Sequence, residues 1–208
     1  MAKQAPNTGT RPSRIQQKNR NAIMAAALQV FASQGFRGAT LDQIAVACDM
    51  SKPNLLYYYH SKEEVYRALL EQLLDDWLAP LRQIDPTGDP FDEILRYAAR
   101  KLQMSKEMPR QSRLFANEVL RGAPQVGPFL QGELKSLVDE KAAAISDWSA
   151  RGLIAPLDPH HLIFSIWAIT QHYADFDTQV RAILPHVAEP VDDAADFVAT
   201  LIRKTLTP

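Results

Sequence analysis

The sequence predicts an all-α fold, and three observations carry that expectation. Strand-period alternation is absent along the chain. Apolar residues instead recur at three- and four-residue spacing, as in Ile23, Ala26, Ala27, Val30 and Phe31. Helix-start signals also repeat: Thr40 with Gln43, Ser61 with Glu64, and the pairs Asp89-Pro90 and Asp158-Pro159. The expected architecture is an N-terminal three-helix, helix-turn-helix domain followed by a C-terminal helical domain, with about nine helices in total.

Residues 1–14 are polar, interrupted by Pro6, Gly9 and Pro12, and read as a flexible basic arm. The first helix starts at about Ile15 and stops at "SQGFRGAT", where Gly35 and Gly38 end it. A short second helix, about Leu41 to Cys48, begins under the Thr40/Gln43 capping box. Asp49 then occupies a tight turn that requires a residue able to adopt a left-handed conformation. Ser51 caps a third short helix, with Pro53 tolerated in its first turn. The Ser61/Glu64 box opens a longer helix carrying Val65, Leu69, Leu73, Leu74, Trp77 and Leu81, which Pro80 bends or ends.

Asp89-Pro90 opens a helix to about Met108, and Pro109 breaks it. A short helix covers "QSRLFANEVLRG", and a longer one runs through "ELKSLVDEKAAAISDW" to Gly152. Asp158-Pro159 opens "HHLIFSIWAITQHYADF", and a last helix spans about Val191 to Thr205. The expected domains are the arm at 1–14, the helix-turn-helix unit at 15–62, and an effector-binding and dimerisation domain at 63–208.

The chain has 208 residues, 46% hydrophobic and 23% charged, which suffices to bury a core. Its single cysteine, Cys48, excludes an internal disulfide and points to a reducing compartment. No apolar run approaches the roughly 18 residues of a membrane span, and the N-terminus has no apolar signal region, so a cytoplasmic protein is expected. Net charge is only −1 but is unevenly placed. Through Lys62 there are eight basic and two acidic residues; the remainder carries 15 basic against 22 acidic. A split this sharp points to a polyanion as partner of the N-terminal part.

The stretch "SKPNLLYYYHSKEEVY" fits that partner. It holds four tyrosines, with Lys52, Asn54, His60 and Lys62, and no acid before Glu63. Helix, tight turn, helix, with both helices short, is the helix-turn-helix layout that reads double-stranded operator DNA. The second helix presents Lys52, Asn54, Tyr57 and Tyr58. Asn pairs bidentately with adenine, and Lys with guanine or phosphate. Helix N-termini at Thr40 and Ser61 offer backbone donors to phosphates, Lys62 adds charge there, and Ser51, the cap of the second helix, is counted with the DNA-contacting residues. A solvated surface with snorkelling tyrosines explains the composition but not the coincidence of caps, turn and one-sided charge.

"GFRGATLDQIAVACDMSKPNLLYYYHSKEEVYRALL" resembles the N-terminal DNA-binding domain of TetR-family regulators. The resemblance covers about fifty residues, with Asp49 at the usual glycine of the turn and Tyr59-His60 where Phe-Pro or Phe-x is common. It implies a homodimer, in most cases a repressor, whose C-terminal domain senses a small molecule. Further blocks, "WLAPL", "SRLF", "DEK" and "LAPLDPHHLIFSIWAITQHYADF", resemble pyrimidine-utilisation regulators within the family, which implies a free base such as uracil or thymine as effector.

Trp167 and Gln171, four apart, share one helix face. An indole stacks on a flat ring, and a Gln amide complements the N–H/C=O edge of uracil or thymine. Trp77 is expected as a second wall. A drug-like or acyl hydrophobe is the alternative effector. Dimer contacts are expected from Ile163, Ile166, Ile169, Phe197, Val198 and Leu201 on the last two long helices. Catalysis is not expected. His161 and His172 lie about 16.5 Å apart along a helix, and metalloprotease, phosphate-loop and hydrolase motifs are missing. No cofactor or metal is expected.

Overall fold

The structure, a computed structural model, describes residues 14–208. The basic arm expected at 1–14 therefore lies outside the described residues, apart from Arg14. The chain divides between Tyr66 and Arg67 into two compact units.

In the first unit α1 (Arg14–Gly38) is followed by α2 (Leu41–Ala47) and α3 (Lys52–Tyr58). The glycine stop signal acts at Gly35, whose φ of 66° and ψ of 171° break the helix before its last residues. Both arms of the Thr40 capping box form: Gln43 N–H donates to Thr40 Oγ1 (3.2 Å) and Thr40 N–H donates to Gln43 Oε1 (2.9 Å). The turn closes as a Schellman motif. Met50 N–H donates to Ala45 O (2.9 Å) and Asp49 N–H to Val46 O (3.2 Å). Asp49 accordingly takes φ 55°, the left-handed conformation the turn demands. Ile23, Ala27, Ile44 and Leu55 are fully buried, and Phe31, Phe36 and Tyr66 form a ring cluster with Phe31–Tyr66 and Phe36–Tyr66 centroids both 4.8 Å apart.

The second capping box differs from the expectation. Ser61 Oγ accepts from Glu64 N–H (3.1 Å), but the Glu64 carboxylate reaches one residue further back, accepting from His60 N–H (2.6 Å). It opens α4 (Lys62–Arg82), which carries Pro80 internally and continues two residues beyond it.

The second unit comprises most of α4 with α5 (Pro90–Glu107), α6 (Pro109–Leu120), α7 (Gly127–Phe129), α8 (Lys135–Ala150), α9 (Pro159–Asp175), α10 (Asp177–Ile183) and α11 (Pro190–Leu206). The single turn α7 runs through a π-helical stretch, Leu130–Leu134, into α8. Asp89 and Asp158 cap as expected, accepting from Asp92 N–H (3.0 Å) and His161 N–H (3.1 Å). The sequence did not announce α10: of its seven residues only Val180 is buried, so no apolar periodicity marks it.

Helix α5 packs on α6, α9 and α11, and α9 also meets α6 and α8. Leu81, Ile94, Ile145, Trp148 and Ile163 fill the core between them. Three of the expected dimer residues, Ile163, Ile166 and Val198, belong to this core instead, while Phe197 (65% exposed) and Leu201 (40%) stay at the surface, as does Phe164 (47%). Among the described residues no helix is long and apolar enough to cross a membrane.

The left-handed Asp49 generates a stability test. Asp49→Gly relieves the Cβ strain and is expected to raise the stability of the N-terminal unit by about 0.5–1 kcal/mol in urea unfolding. A fall in the midpoint contradicts the account.

Candidate DNA-reading surface and effector cavity

On α3 the side chains sort by helix face. Leu55 and Tyr58 point inward; Lys52, Asn54 and Tyr57 are exposed, Tyr57 at 68%. Tyr58 was expected among the DNA readers, but only 9% of it is exposed and its hydroxyl accepts from Asn19 Nδ2 (2.7 Å). Its ring and that of Tyr59 lie 5.8 and 5.3 Å from the Arg20 guanidinium. Tyr58 therefore ties α3 to α1, and the outward tyrosine is Tyr57.

The caps are equally committed. Thr40 Oγ1 and Ser51 Oγ accept from their own helices, so these hydroxyls orient the backbone N–H groups rather than reach outward. The Lys52 ammonium pairs with Asp42 (2.9 Å), both side chains being about half exposed or more. Such a pair exchanges readily for a phosphate, because exposed ion pairs contribute little. Lys62 is half-buried: its ammonium donates to Ala39 O (2.9 Å) and sits 4.7 Å from the Phe36 ring centroid. It bridges the ends of α1 and α4, with two of three donors still available.

In the second unit, Trp77 and Gln171 come together as expected. They line one small cavity with Lys101, Met104, Ser105 and Ser112, where α4, α5, α6 and α9 converge. Trp167 is not part of that lining. Its indole N–H donates instead to the hydroxyl of Tyr97 on α5 (2.6 Å). The cavity measures about 10 Å³, room for a single water, so a ring must displace side chains to enter.

Sequence reasoning missed the group that dominates this cavity. Lys101 is 5% exposed, and its ammonium lies 5.2 Å from the centroid of the Trp77 ring. Burial drives its pKa down to about 8, with the Asp175 charge opposing the shift. Asp175 is itself pushed up, chiefly by burial, against the Ser112 hydroxyl and the charges of Arg113, Lys101 and His172. Ser112 Oγ donates to Asp175 Oδ1 (2.5 Å) and Ser105 Oγ to Thr170 O (2.7 Å). The overlooked signal was positional: Lys101 and Ser105 occupy the stripe of α5 that carries Ile94, Tyr97, Ala98 and Leu102.

Lys101 has a folded pKa of about 8, below the ordinary 10.5. Between those values the unfolded chain holds the proton and the folded chain does not, so stability rises with pH across the window. Lys101→Met is expected to remove that rise, up to about 1 kcal/mol per pH unit in urea unfolding of the two proteins. Identical pH profiles contradict the burial of a charged amine.

Residues 23–69 match the family described as bacterial regulatory proteins, tetR family, and residues 70–208 match YcdC-like protein, C-terminal region. The HTH-type transcriptional regulator RutR of Escherichia coli O157:H7 is 49% identical over 183 residues, which is 88% of this chain and 86% of that protein. The Streptomyces coelicolor regulator SCO4942 aligns at a TM-score of 0.74 and 25% identity, covering 90% of this chain and 98% of that one. AibR, solved with isovaleryl coenzyme A and operator DNA, shares the fold at a TM-score of 0.72 and 20% identity, over 91% and 99% of the two chains. The helix-turn-helix geometry and these matches establish that the chain belongs to the TetR family of DNA-binding transcriptional regulators, whose members bind operator DNA and small-molecule ligands and act as dimers.

Proposed function

We propose that the protein is a repressor whose effector is a free pyrimidine base, uracil or thymine, bound in the Trp77–Gln171 cavity. The observation that carries this reading is the meeting of an indole, an amide and a buried ammonium around one small cavity. An indole offers a stacking face, and the Gln171 amide offers an acceptor beside a donor. A small planar polar ring uses all of them; a long acyl chain uses none of the polar ones. The resemblance of several blocks to pyrimidine-utilisation regulators supports the same ligand.

The mechanism follows from the size of the cavity. A base has to push Trp77 or α6 aside. Trp77 is on α4, a continuous helix from Lys62 to Arg82. Moving α4 at Trp77 changes the spacing of two DNA-reading heads in a dimer. Half-sites sit about 34–36 Å apart, or at multiples of that distance, so a displacement of a few ångströms releases the operator.

On the DNA side, Lys52, Asn54 and Tyr57 read the major groove, while Thr40, Ser51 and Lys62 set the helix ends against phosphates. Tyr58 supports this surface from beneath.

A second reading has its own observation. Between α5 and α11 a groove of about 320 Å³ is lined mainly by Leu95, Ala98, Leu102, Val191 and Val198, with Arg203 at its edge. An acyl or drug-like effector fits that groove better than it fits the cavity.

In fluorescence anisotropy, Asn54→Ala is expected to cost operator DNA about 1–3 kcal/mol while leaving non-specific DNA unchanged. Lys62→Ala is expected to weaken both and flatten the salt dependence; an unchanged salt slope removes its phosphate role. In calorimetry, uracil is expected to bind once per chain and Gln171→Ala to abolish that heat. Unaltered binding by Gln171→Ala moves the effector site elsewhere.

A further inference from the structure

We propose that Asp42 is a positioning residue for DNA reading: its carboxylate biases Lys52 away from phosphates and toward a guanine edge, and so lowers affinity for DNA of arbitrary sequence. This rests on the assignment of Lys52 to the DNA-reading surface.

The N-terminal part of the chain is poor in acids. Through Lys62 it has two, Asp42 and Asp49, against eight basic residues. Asp49 occupies the left-handed position of the turn between α2 and α3. Asp42 stands in the first turn of α2 with its side chain 64% exposed, and its Oδ2 lies 2.9 Å from Lys52 Nζ on α3. An ion pair this open contributes little to stability. The fold therefore gains little from an acid on a surface that meets a polyanion, and the effect of Asp42 falls on what Lys52 can bind.

Lysine has three donors and no acceptor. One donor goes to Asp42 and two remain. Guanine presents O6 and N7 in the major groove, both uncharged acceptors. An ammonium held by Asp42 can donate to them without bringing two anions together. A phosphate lacks that option. It must approach the carboxylate against its charge, or draw Lys52 off and leave Asp42 unpaired beside the DNA backbone. Every duplex carries the same phosphates, so this repulsion weakens all DNA alike, while the gain at guanine belongs to the right sequence alone. Discrimination then comes from the repulsive element as much as from the attractive one.

The test uses the full chain and two duplexes: one selected by the wild type from a random-sequence pool, and a shuffled version of it. Fluorescence anisotropy over a salt series compares wild type, Asp42→Asn, Asp42→Ala, Lys52→Met and the Asp42→Asn, Lys52→Met double variant. Thermal unfolding checks that each is folded. Asp42→Asn and Asp42→Ala are both expected to bind the shuffled duplex at least about fivefold more tightly and to steepen its salt slope by about one, as Lys52 takes up a phosphate. The ratio of selected to shuffled affinity is expected to fall at least about fivefold. In the Lys52→Met background, Asp42→Asn is expected to strengthen both duplexes alike and leave their ratio unchanged. A merely structural Asp42 moves the unfolding temperature but neither the ratio nor the slope. An unchanged ratio and slope in the folded Asp42 variants overturn the proposal. So does a loss of selected-duplex affinity, which makes Asp42 itself the reader of a base. Either result leaves Lys52 on the reading surface if Lys52→Met weakens the selected duplex. Undiminished binding by Lys52→Met removes that assignment, and the role of Asp42 with it.

Discussion

A protonated amine buried in an all-helical bundle is the constraint around which the second unit is arranged. Removing an ammonium from water costs several kcal/mol unless its surroundings compensate. Four helices supply the compensation at one point: α4 brings the Trp77 ring, α6 brings Ser112, and α9 brings Gln171 and Asp175 around Lys101 of α5. Burial holds the lysine pKa down and the carboxylate pKa up. A polar cluster where four helices meet is a place where a ligand can gain affinity and where helices can adopt two arrangements.

The N-terminal unit follows the opposite rule. Its polar groups are almost fully committed before DNA arrives. Thr40 and Ser51 cap their helices, Tyr58 is fastened to Asn19, Lys62 to Ala39, and the turn is closed by paired backbone bonds around Asp49. This commitment fixes the angle between α2 and α3 and leaves Lys52, Asn54 and Tyr57 as the outward set. A rigid reading head loses little entropy on docking, so small changes in its position translate into large changes in affinity.

Local chemistry was legible in the sequence and distant pairing was not. The starts of α2, α3, α5 and α9 were readable because a Ser, Thr or Asp cap acts within three residues of itself. Trp77 and Gln171 were readable as stacking and amide chemistry, although nothing local says that α4 and α9 approach each other. Trp167 passed the same local test and failed in space, because its partner Tyr97 lies on α5, seventy residues earlier. Tyr58 was misread for a similar reason: of three consecutive tyrosines only Tyr57 faces outward, Tyr58 and Tyr59 being buried, and Asn19 holds the Tyr58 hydroxyl. Lys101 was visible as a cation in an apolar stripe, a pattern that is anomalous by itself, but its meaning depends on Trp77 and Asp175 from other helices.

The link between the two units is the claim on which regulation depends: a small ring enters where Trp77 and Gln171 meet and forces the cavity open. A crystal structure of the dimer with uracil bound tests it most directly. The account expects the base stacked against Trp77, its edge on Gln171 and Lys101, and the cavity enlarged well beyond its present 10 Å³ or so. Density for the base in the groove between α5 and α11, with the Trp77 cavity still closed, contradicts it.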